Sequence, residues 1–95
     1  MTDLRPSLAE HQLTVVRAFL RQTFPGAELI DRFDTEATAH RFTLDPGRTS
    51  KRTLLVPCAL LEDPALAALL TAALVEALKR GGGRPVTLTA KGIRY

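Results

Sequence analysis

The sequence predicts an α+β fold in the order α-β-β-β-α-β. One four-stranded, mostly antiparallel (mixed) sheet carries two helices packed on one face. Three observations lead there. Apolar residues recur at helical spacing from Leu8 to Phe24. Alternation replaces that period between Ala27 and Cys58, interrupted by two polar turns. An alanine- and leucine-rich run, Asp63 to Gly83, then carries helix signals at both ends.

Residues 1–6 form a loose N-terminal end of a single domain spanning 1–95. Ser7-Leu8-Ala9-Glu10 matches a capping box, in which Ser7 and Glu10 satisfy the free groups of the first turn. On the following helix Leu8, Ala9, Leu13, Val15, Val16, Phe19, Leu20 and Phe24 fill one arc. Glu10, His11, Thr14, Arg17, Arg21 and Gln22 fill the other. Pro25-Gly26 ends it.

The first strand runs from Ala27 to Phe33, with Leu29 and Phe33 on one face and Ile30 assignable to either. The second, Ala37 to Leu44, alternates Thr38, His40, Phe42 and Leu44 against Ala39, Arg41 and Thr43. In Asp45-Pro46-Gly47, proline presets one turn position and glycine tolerates positive φ at the next. Lys51 to Cys58 is the third strand and completes a meander.

Asp63 is a good N-cap, Pro64 suits the first helical position, and Lys79 and Arg80 face the negative end of the dipole. Gly81 closes the helix. Its leucines, Leu66, Leu69, Leu70, Leu74 and Leu78, cover about half the wheel, wider than the roughly 100° stripe one core requires. The other side holds Ala65, Ala68, Ala72 and Val75 beside Glu76 and Lys79. That side is either bare surface or a close approach for another helix. Arg84 to Ala90 forms the fourth strand, with Val86, Leu88 and Ala90 inward, and Gly92 bends or ends it.

Short links on both sides of the second helix make the fourth strand parallel to the third. Pro57 cannot donate to a ladder, which favours an edge position for the third strand and the order 4-1-2-3. The open face would carry Thr43, Thr87, Thr89, Arg41 and Lys91.

Function is far less legible. A single cysteine, Cys58, excludes an intrachain disulfide. The N-terminus lacks the basic and apolar regions of a secretory signal, and no run reaches the roughly 18 apolar residues of a membrane span. A cytoplasmic protein without a membrane segment is expected. His11 and His40 fall on different elements, and hydrolase, kinase and P-loop signatures are absent, so no catalytic residues are expected. No metal or cofactor is expected either. Asp31, Asp34 and Glu36 lack the spacing of a calcium loop. Gly81-Gly82-Gly83 follows a helix, where the dipole repels anions, rather than preceding one.

Charge leaves two readings. Residues 1–47 hold five basic and seven acidic side chains, and residues 48–95 hold eight basic and three acidic. The basic half is either an ordinary solvated surface or a site for an anionic partner. Arg41, Arg48, Lys51, Arg52, Lys91 and Arg94 are the candidate contacts. The α-β-β-β-α order resembles that of double-stranded RNA-binding domains, which place a lysine cluster at the start of the last helix. Here that position reads Leu61-Glu62-Asp63-Pro64, so the resemblance stops at element order. A sheet-face RNA binder also requires exposed aromatics for stacking. The favoured expectation is a non-enzymatic binding or interaction module, a homodimer or a partner's accessory. Nucleic-acid binding through residues 48–95 is the alternative.

Overall fold

The computed structural model describes residues 8–47, 51–80 and 83–94. The expected loose end at 1–6, the Ser7 half of the capping box, the Gly81 cap with Gly82, and Arg48 lie outside the described residues. The chain forms helix α1 (Leu8–Thr23), strands β1 (Glu28–Asp34), β2 (Ala39–Asp45) and β3 (Arg52–Pro57), and a short helix α2 (Cys58–Leu61). A 3-10 segment (Pro64–Leu69), helix α3 (Ala72–Arg80), and strands β4 (Pro85–Thr89) and β5 (Gly92–Arg94) follow. The α+β class and the mixed sheet hold, with five strands rather than four.

Sheet order is β1-β2-β3-β4-β5, not 4-1-2-3. The β3–β4 pair is parallel, as expected, and the other three are antiparallel. The argument from Pro57 fails for a geometric reason. β4 pairs only with Thr53, Leu54 and Leu55, so Pro57 lies beyond the shared ladder and no donor is missed there. The fifth strand comes from a hairpin at Ala90-Lys91, closed by the Thr89 hydroxyl. Thr89 Oγ1 donates to the Gly92 carbonyl at 2.9 Å and accepts from Lys91 N at 3.2 Å. Ala90, expected inward, is exposed in that turn.

The single helix expected over 63–80 is broken. Asp63 and Pro64 start a helical segment as read: the Asp63 carboxylate accepts from Ala65 N at 2.9 Å. That segment is 3-10, and it stops at Leu70. Thr71 then starts α3, accepting from Leu74 N at 3.4 Å. With three residues per turn, the 3-10 segment sets Leu66 and Leu69 on one side, the first buried and the second half-buried.

One core lies between the sheet and the helices. Phe42, Leu44, Leu54, Val56, Val86 and Leu88 supply it from alternate strand positions, and Val16, Leu20, Leu66, Leu74 and Leu78 from the helices. All eleven are buried to within about 1% of full enclosure. Apart from buried Ala39, the intervening strand residues stay at least partly exposed, so one face of the sheet is covered and the other open. Gln12 is the one buried polar side chain among the described residues. It donates Nε2 to the Asp63 carbonyl at 2.6 Å, tying α1 to the start of the 3-10 segment.

Candidate functional site

The register assigns every strand residue to a face. One row crosses the open face through Arg32, Arg41, Leu55, Thr87 and Arg94. Its arginine ends lie four strand spacings apart, roughly 19 Å. The neighbouring row carries Ile30, Thr43, Thr53 and Pro85.

Of the basic residues singled out from sequence, the structure brings Arg41 and Arg94 onto this row. Lys91 is exposed in the adjoining turn, beside Ile93 and Arg94 in a shallow depression. Lys51 is exposed just before β3. Arg52 departs from the set. It pairs with Leu44 on the covered face, beside Phe24, Ala27 and Lys79. Arg48 lies outside the described residues. No single patch unites the described members.

Acidic side chains answer the basic ones. Arg41 donates Nη2 and Nε to Asp34 Oδ2 at 2.8 and 3.2 Å. That hydrogen bonding, aided by the backbone N–H groups of Ala37 and Glu36, holds the Asp34 carboxyl below the usual carboxylate range. Glu28 and Asp45 share the open face and stand opposite each other. Among the described strand residues, Arg32, Arg41 and Arg94 thus face Glu28, Asp34 and Asp45 there, three of each sign.

On the covered face, three side chains distant in sequence converge. Arg17 from α1 donates to both carboxylate oxygens of Asp31 on β1, and His40 Nε2 on β2 lies 2.7 Å from Asp31 Oδ1. The His40 and Asp31 side chains are 12% and 15% exposed. The Arg17 guanidinium, chiefly, and the His40 ring hold the Asp31 carboxyl below its ordinary range against the opposing effect of burial. His40 is partly buried and hydrogen-bonded, in keeping with its alternation with Phe42 and Leu44. The Arg17–Asp31 pair has no such local signal, because Arg17 sits among ordinary solvent-side residues and nothing nearby in sequence joins it to β1.

The edges of the sheet differ. β5 is three residues long and carries Arg94, a short and charged end that discourages further pairing. β1 is seven residues long, with an unbroken register against β2 and no proline. No strand pairs with its outer side among the described residues. Three large apolar side chains are exposed among the described residues: Leu8 on α1, and Ile30 and Phe33 on β1 at 55% and 50%. Ile30 faces the open side and Phe33 the covered side. The one sequence signal for this edge is the Leu29-Ile30 step, where two apolar neighbours cannot both point inward on a strand.

The alanine face of the former single helix is bare. Ala65, Ala67, Ala68, Ala72 and Ala73 are exposed, and Ala77 alone joins the core. No described helix is long and apolar enough to cross a membrane. Comparison of the chain with known protein families, curated proteins and solved structures gave no match.

Proposed function

We propose that this chain is a non-enzymatic interaction module of the cytoplasm that works as a homodimer. The observation carrying this reading is the β1 edge: seven regular residues, unpaired on the outer side among the described residues, with exposed Ile30 and Phe33. An edge of that length offers a row of free N–H and C=O groups to another strand. Of the devices that keep such an edge from pairing, β1 lacks shortness, proline and a bulge. It does carry charge: Glu28 and Arg32, of opposite sign, Asp34, held by Arg41, and the inward-pointing Asp31, held by Arg17 and His40.

The Arg17–Asp31–His40 contact takes a structural role here. A catalytic relay needs a nucleophile or substrate group on the far side of the histidine. Instead Asp31 is engaged by a guanidinium that fastens α1 to the sheet. Nucleic-acid binding ranks second because the described strand residues of the open face are balanced in charge, whereas phosphate recognition depends on an excess of Lys and Arg. The lone Cys58 suits a reducing compartment. Light scattering at tens of micromolar tests the reading: a mass of twice the 10.4 kDa chain is expected, and a mass equal to one chain overturns it.

A further inference from the structure

We infer that two copies join by antiparallel pairing of their β1 strands about a twofold axis at Ile30, forming one continuous ten-stranded sheet. This rests on the homodimer reading and names its surface.

A twofold axis perpendicular to a sheet sets one residue opposite its own copy, so the possible registers are few. Centred on Ile30, the pairing sets Ile30 against Ile30 of the second copy. It also sets Glu28 of each copy against Arg32 of the other. Centred on Asp31, it opposes two aspartates and sets Glu28 against Asp34 twice. Centred on Arg32, it opposes two arginines. Like charges directly opposite are unfavourable and opposite charges favourable. Centred on Phe33, the pairing sets Arg32 against Asp34, but Arg41 already holds that carboxylate. The Ile30 register is the one that gives both Glu28 and Arg32 a complement.

The charges involved are available for this. Glu28 and Arg32 are exposed on the same face and make no ion pair among the described residues. Four residues apart on one strand, about 13 Å, they cannot reach each other. Each is instead set against a like charge within its own sheet, Glu28 opposite Asp45 and Arg32 opposite Arg41. Glu28 and Arg32 therefore flank Ile30 with opposite charges on the open face, and antiparallel pairing about Ile30 brings each against its complement. Ile30, half-exposed in the single chain, is enclosed at the centre.

The test uses the full chain and charge exchange at two exposed positions. Arg32→Glu and Glu28→Arg are each expected to raise the dimer dissociation constant about tenfold or more, since each places like charges opposite twice. Mixed one to one, the two variants are expected to form a heterodimer, because their charges are again complementary. In a Cys58→Ser background, Ile30→Cys is expected to cross-link on oxidation. Directly opposite Cα atoms lie about 4.5–5.5 Å apart, within disulfide reach. Arg32→Cys is expected not to cross-link, being about 13 Å from its own copy. Circular dichroism matching wild type confirms that each variant folds. A wild-type dimer whose single variants stay dimeric, or whose variant mixture stays monomeric, overturns this register and leaves self-association standing. A monomeric wild type overturns both.

Discussion

Arg17 grips Asp31 with two hydrogen bonds, Nε to Oδ2 at 2.9 Å and Nη2 to Oδ1 at 2.7 Å. This contact fastens α1 to the first strand of the sheet, and it gives β1 a fixed position although, among the described residues, nothing pairs with its outer side. Asp31 is mostly enclosed and its charge is held by two partners, so removing it leaves Arg17 and His40 without their acceptor. Asp31→Ala is expected to cost about 1–3 kcal/mol in chemical denaturation. The pH dependence has a definite sign. The folded-state pKa of Asp31 is lowered, so its contribution is fully present above the unfolded value and is lost as pH falls through the folded value. Wild type should lose stability below about pH 5 more steeply than Asp31→Asn does. Parallel acid limbs for the two proteins would show that the pair contributes nothing.

Leu74 and Leu70 are expected to differ. Leu74 is fully enclosed in the core, whereas Leu70 sits half-buried at the break between the 3-10 segment and α3. Leu74→Ala should cost about 2–5 kcal/mol, and Leu70→Ala roughly half that or less. Equal losses would mean that the chain is helical straight through Leu70.

Thr38 adopts φ of 50° at the end of the β1–β2 turn, a conformation that a β-branched side chain resists. The backbone holds it there, since the Thr38 carbonyl accepts from Cys58 N at 3.1 Å. Thr38→Asn should raise stability by about 0.5–1 kcal/mol, because asparagine tolerates this region. A lower denaturation midpoint would contradict the turn geometry.

Nucleic acid provides a negative expectation. With three acidic side chains among three basic ones at the described strand positions of the open face, titration of mixed-sequence RNA or DNA at low salt should give no saturable change in anisotropy. Micromolar binding that weakens steeply with salt would favour the basic half of the chain as a phosphate site.

Much of the fold was legible because its signals are local. The arc of α1, the alternation of β2 and the Asp63-Pro64 start needed only neighbouring residues. The break at Leu70 was not read, since alanine and leucine favour helix on both sides of it. Its one marker is Thr71, a cap residue inside an apolar run. β5 was missed because Ala90-Lys91 carries none of the glycine or asparagine signals of a two-residue hairpin. Strand order was misjudged because Pro57 matters only where a ladder reaches it. The candidate site was least legible. A basic count over half a chain does not say which side chains share a face, and register separates Arg52 from Arg41 and Arg94. Edge status, which draws attention to Ile30 and Phe33, depends on the whole topology.

Amide hydrogen exchange across β1 tests most directly whether this strand is the working edge. β2 bonds only one side of β1, so the outward-pointing N–H groups of residues 28–34 report on the other. Protection of those amides that grows with protein concentration, and is lost in Arg32→Glu, is the expected result. Outward amides exchanging at the rate of an unstructured chain at every concentration would contradict it.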